Sequence, residues 1–421
     1  MRPRLLLLLL SIISAPCAQA EDFQGATHPI LYDEEAIFYS KATAGGPVAD
    51  LQEKLERGEV RLEFDNEHGY LPALLKYFGI PKSSQMLVFS KTSVQRALIA
   101  PATPRALYFN DDVYIGYIPG APLLEISAVD PKLGGVFYHL EQEKLRHPKF
   151  VRDAACLQCH SGPRTMGVPG HVLRSVGTDP DGEPRSGEEV STVDQCTPLA
   201  DRWGGWYVTG TLGAQMHRGN LVTGKPAEPQ AEAANQETNL RDLRPLVDVT
   251  PYLEPGSDVV ALMVLEHQAK MHNYITRLNY ETQIMLERYQ HIRYLKEQEA
   301  AFLRYFLMTE EARLTEPVAG TSSYAADFEK MGPRDHLGRS LRDLDLRTRL
   351  FKYPCSFLVY DPAFDAMPEP MHSELLQRLY NILTGQDTSR EWANLSPDDR
   401  EAVLQILRDT KPNLPEYWRA E

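Results

Sequence analysis

The chain has 421 residues, 43% of them hydrophobic, with 58 acidic against 44 basic side chains and a formal charge of −14. Such a length supplies two or three domains and a sizeable core. The acidic balance argues against nucleic acid or an anionic membrane surface as partner and for a partner protein with a basic docking face.

The first element in chain order is an export leader over residues 1–20. Arg2 and Arg4 precede an apolar run from Leu5 to Ile13, and Ala18-Gln19-Ala20 forms a small-residue cleavage site before Glu21. The run is too short to cross a bilayer, and no later stretch approaches 18 apolar residues. Pro16 just before Cys17 fits a lipoprotein site poorly. The processed chain is therefore expected outside the cytoplasm, periplasmic or at the cell surface, without a transmembrane anchor.

Residues 21–150 read as an N-terminal α+β domain. Val48 to Arg57 carries a helical period, and Leu71 to Phe78 makes a second helix stopped by Gly79 and Pro81. Short aromatic and β-branched runs follow: Met86 to Phe89, Ala106 to Phe109, Val113 to Ile118, Leu123 to Ala128 and Gly135 to His139. Asn110-Asp111-Asp112 and Pro119-Gly120 punctuate them, which predicts an antiparallel meander of four or five strands.

Residues 151–224 change character. They are rich in Gly and Pro and contain Cys156-Leu157-Gln158-Cys159-His160. Two thiols spaced by two residues with a histidine next to the second form the attachment signature of one covalent c-type haem. Cys156 and Cys159 would each add to a vinyl group, and His160 would ligate the iron as its proximal ligand. Zinc is a poor alternative, because adjacent Cys and His rarely share one tetrahedral ion and no second spaced pair exists. A thiol-disulfide site would follow a strand in a βαβ unit, which these surroundings do not suggest. Cys196 and Cys355 remain, and are candidates for a disulfide or for two separate thiols.

Three residues are candidates for the iron's other face. Met216 and His217 lie in a loop just beyond Trp203-Gly204-Gly205-Trp206-Tyr207, an aromatic cluster of a size to wall a porphyrin. His267 shares a helix stripe with Val260, Val264, Met271, Tyr274 and Leu278, whereas His272 is rotated off that stripe. An open site is the fourth possibility. His171 could reach a propionate, although a plain loop role suits it better. His139 merely ends a strand.

Residues 225–238 read as an exposed linker, and 239–421 as a mainly helical region. No Gly or Pro falls between Gly256 and Pro317, so two or more long helices are expected there. A strand is predicted over Ser356 to Tyr360, then amphipathic helices over Ser373–Leu383 and Pro397–Asp409. Ser396 is placed to cap the last.

The chain resembles exported bacterial cytochrome c domain proteins of unassigned reaction. The resemblance rests on the haem motif, on Pro104 to Asp111, on Arg202 to Tyr207, and on Phe351 to Cys355 with Ala363-Phe364-Asp365. It implies covalent haem at Cys156 and Cys159 and ligation by His160. The expectation is an α+β periplasmic electron carrier, with a peroxidase-like oxidoreductase having an open distal iron as the alternative.

Overall fold

The computed structural model describes residues 30–187, 190–222 and 238–419. The leader and nearly all of the proposed linker lie outside these residues. The protein is α+β, with a six-stranded antiparallel sheet and helices on both sides of it.

Two helices come first, α1 (Gly46–Glu56) and α2 (Leu71–Phe78). Gly79 closes α2 at φ +66, a left-handed position that glycine fills without strain. The strands β1 (Met86–Val88), β2 (Arg105–Phe109), β3 (Val113–Tyr117), β4 (Leu123–Asp130), β5 (Gly134–Glu141) and β6 (Val151–Arg152) pair in sequence order. The meander thus has six strands, because β6, only two residues long, extends it beyond the predicted edge.

Alternation along the strands gives the sheet two unlike faces. Ala106, Tyr108, Ile115, Tyr117, Leu124, Ile126, Tyr138 and Leu140 share one face and pack with Leu51, Leu71 and Leu74 of α1 and α2. The opposite face carries two cross-strand rows. Phe109, Tyr114, Ser127 and Phe137 form the first, and Leu107, Gly116, Glu125, His139 and Val151 the second. The first row lies under the helical half of the protein. The second stays partly open to solvent.

After β5 and β6 comes a one-turn helix, α3 (Leu157–His160), and a two-stranded ribbon of β7 (Arg174–Ser175) and β8 (Ser191–Thr192). Regular structure is sparse here, as the Gly and Pro content predicts. The helical part is built on α4 (Val259–Tyr289), which runs for 31 residues. Asp258 starts it, one carboxylate oxygen accepting from Val260 N and Ala261 N at 2.8 and 3.2 Å. Around α4 lie α5 (Lys296–Phe306), α6 (Tyr324–Lys330), α7 (Pro362–Asp365), α8 (Glu369–Leu383) and α9 (Pro397–Thr410). Ser396 caps α9 as expected, its Oγ accepting from Asp399 N at 3.0 Å. Among the described residues, no helix is long and apolar enough to cross a membrane.

One expectation is overturned. Ser356 to Tyr360 is no strand: Phe357–Tyr360 forms a 3₁₀ turn, because Ser356 Oγ accepts from Leu358 N and caps it. The helix α4 buries more than its apolar stripe. Glu266, His267, Gln268, His272, Asn273, Arg277 and Glu281 are buried along with its apolar residues.

Those polar side chains bind the surrounding segments. Glu266 accepts from Arg202 Nη1 at 2.7 Å and Trp203 Nε1 at 2.6 Å, while Arg202 also donates to the Gln195 and Thr197 carbonyls. Trp206 donates to the Arg174 carbonyl and Tyr207 to that of Pro101. The tryptophan cluster is therefore buried core, not the wall of an open cleft. Glu266→Ala leaves the Arg202 guanidinium buried and unpaired. Urea denaturation should show a loss of about 3–5 kcal/mol, the usual cost of stranding one partner of a buried ion pair.

Candidate haem attachment site

The motif sits on one short turn of helix beside the sheet. Asp153 opens it, its Oδ1 accepting from Ala155 N at 2.8 Å, and Ser161 Oγ closes it on the Leu157 carbonyl at 2.7 Å. Leu157 points into the core under the sheet, which turns the remaining side chains outward. Cys156 is half-buried and Cys159 exposed, and neither thiol is oxidised. Burial pushes the Cys156 thiol up to about 11, with the charges of Asp153 and Glu125 adding to the effect. A thiol held protonated suits addition to a vinyl group better than a metal thiolate or a redox pair, whose chemistry needs a low pKa.

His160 is held from two directions. Its ring packs on Phe137, with centroids 4.6 Å apart. Its Nδ1–H donates to the Gly170 carbonyl at 2.8 Å, and Gly170 N–H donates back to the His160 carbonyl at 2.8 Å. The carbonyl can only accept, so Nδ1 carries the proton and Nε2 presents a lone pair, which no other group among the described residues engages. Burial holds the ring neutral by pushing its pKa down to about 4. A neutral imidazole with Nδ1–H on a backbone carbonyl is the state a metal-ligating histidine requires.

The Gly170 carbonyl is itself placed by α4. Asn273 accepts from His171 N at 2.8 Å and donates to His171 O at 2.6 Å, clamping the backbone one residue on. A Cβ at position 170 would lie 2.1 Å from Asn273 Oδ1, so the approach requires glycine. The chain of positioning runs from α4 through Asn273 and residues 170–171 to the His160 ring.

Two arginines reach His160 with their charge, Arg105 and Arg174. Arg105 Nη1 pairs with Glu125 at 2.6 Å, yet its buried Nε has no partner. Among the described residues, the half-buried Arg174 guanidinium makes no ion pair or hydrogen bond, its backbone being fixed by pairing with Thr192.

The sequence candidates for the iron's other face fall elsewhere. His267 is wholly buried, with Nδ1 2.5 Å from Gln195 Oε1 and Nε2 2.8 Å from Ser356 Oγ. Both nitrogens are engaged, and the ring stacks on Tyr305 at 5.7 Å. It is a satisfied core histidine. His217 is buried against Trp203 with centroids 5.4 Å apart, and its Nδ1 accepts from Gly219 N. Met216 is half-buried in the same loop. The Phe137 ring and the Gly170 backbone are what His160 contacts, so the structure brings none of the three against it. Cys196 and Cys355 are two separate buried thiols, not a disulfide.

Two histidines prove more enclosed than the sequence suggests. His171 packs against Tyr114 at 4.2 Å and sits 2.9 Å from Ser127 Oγ. His272, although off the apolar stripe, is buried beside Asp361. Its Nε2–H donates to the Asp111 carbonyl at 2.9 Å. Its Nδ1 faces Asp361 Oδ2 at 3.6 Å, and neither of these buried atoms has a hydrogen-bond partner. One proton shared between them would satisfy both. Burial pushes the carboxyls of Asp361 and Asp112 upward, their neighbouring acidic groups adding to it.

Comparison with protein-family models, curated proteins and solved structures returns no match. The functional reading therefore stands on the site's chemistry.

A carboxyl raised above its unfolded value of about 3.9 contributes stability that is complete below that pH and lost as pH rises through the folded value. Asp361→Asn keeps the proton-like donor toward His272 without the titration. Urea midpoints should shift in favour of the variant between pH 5 and pH 8. Equal pH dependence in both proteins would show that Asp361 is ionised throughout.

Proposed function

We propose that this protein is an exported c-type cytochrome carrying one haem and transferring electrons. Cys156 and Cys159 would hold the porphyrin covalently, and His160 Nε2 would ligate the iron. The observation that carries the reading is the His160 ring itself, a neutral imidazole anchored by Nδ1 with its Nε2 unengaged, one residue from an exposed thiol. Thioether attachment retains a cofactor outside the cell, and the haem when bound supplies one-electron chemistry.

The surrounding residues fit the group. The unpartnered Arg174 guanidinium and the free Arg105 Nε are donors suited to propionate carboxylates. Phe137 backs the ligating ring and fixes its tilt. The net charge of −14 favours a redox partner with a basic docking face. The leader sequence supports a periplasmic or surface location.

A second reading is a haem oxidoreductase with an open distal iron. The engagement of both His267 nitrogens favours it, since that candidate is unable to saturate the metal as folded.

Protein matured in a periplasm with haem c machinery should show a c-type pyridine haemochrome and an intact mass raised by one haem. Cys156→Ser with Cys159→Ser should abolish the covalent increment. His160→Ala should keep the thioethers but change the spectrum of the iron. A wild-type chain exported at its bare mass under those conditions overturns the proposal.

A further inference from the structure

We propose that His139, on β5, supplies the second axial nitrogen to the iron, an inference that rests on the c-type haem reading above. Its placement follows from sheet register. Phe137, which carries the His160 ring, and His139 lie two residues apart on one strand, so both side chains leave the same face, roughly 7 Å apart along it.

Two further contacts tie His139 to the motif. Its Nδ1 lies 3.5 Å from Asp153 Oδ2, and the other oxygen of that carboxylate caps the turn bearing Cys156. Glu125 stands directly opposite His139 across β4 and β5. Asp153 and Glu125 are also the two carboxylates whose charge acts on the Cys156 thiol, and Glu125 acts on His160 as well. The groups that flank the first attachment thiol therefore flank His139.

The side chain is available for the role. Its side chain is 28% exposed, in the partly open row of Leu107, Gly116, Glu125 and Val151, and among the described residues no hydrogen bond engages its Nε2. Asp153 beside Nδ1 provides the carboxylate that commonly orients a ligating imidazole and fixes its tautomer. By contrast, His171, the other histidine close to Phe137, is buried, with Nε2 on Ser127.

The test uses the full chain matured with covalent haem, which the pyridine haemochrome establishes independently. The ferric wild type should be low-spin and six-coordinate by electron paramagnetic resonance and absorbance. His139→Ala should convert it to high-spin, and added imidazole should restore the low-spin signal, which a variant that merely misfolds would not do. His139→Met should remain low-spin and shift the potential upward, as thioether ligation does. Covalent haem that is high-spin in the wild type, or low-spin in His139→Ala without added imidazole, overturns this ligand assignment and leaves the cytochrome reading standing. A wild type with no covalent haem overturns both.

Discussion

The requirement that buried polar groups be satisfied on α4 organises the rest of the molecule. A helix enclosed on every side is expected to be apolar all round. This one instead carries Glu266, His267, Gln268, His272, Asn273 and Arg277 into the interior, and each finds its partner on another segment. The loops between β6 and α4 have little regular structure of their own. They are ordered because Arg202, Trp203, Gln195 and His171 satisfy α4, and α4 satisfies them. The attachment turn inherits its geometry from this arrangement, since the carbonyl that sets the His160 tautomer is fixed by Asn273.

This arrangement explains what the sequence reveals and what it conceals. The motif, the meander and the α9 cap depend on residues close together in the chain, and period-2 alternation or a cap residue announces them. His267 was attractive as a ligand because its stripe is apolar. The structure makes it a core residue, since Gln195 and Ser356, 72 and 89 positions away, take both nitrogens. His272, off that stripe, is buried as well, because the helix is enclosed on its other sides too. Ser356 to Tyr360 has strand-like composition, but a serine at its start offers a local cap that wins over pairing.

The site's own surroundings were the least legible. Gly170 and Asn273 carry no ligand signature, and their importance lies in contact across 103 positions. His139 reads as the last residue of an ordinary strand until register sets it opposite Glu125 and Asp153 shows one oxygen to it and the other to the motif turn. Electrostatics add a second layer. On the partly open face Arg105 pairs with Glu125 near water, whereas Asp361 and His272 sit buried beside a half-buried Asp112, where a proton is the available means of balancing charge.

The close approach of Gly170 to Asn273 has a consequence for how the chain can vary. Any side chain at 170 displaces the amide, and any residue at 273 small enough to make room forfeits the two bonds that hold the backbone at 171. The two positions are therefore free to drift only as a couple, with strongly non-additive effects. In a family of such chains, a glycine on a loop and an asparagine in mid-helix would be inherited together, although neither is among the residues proposed to hold the haem.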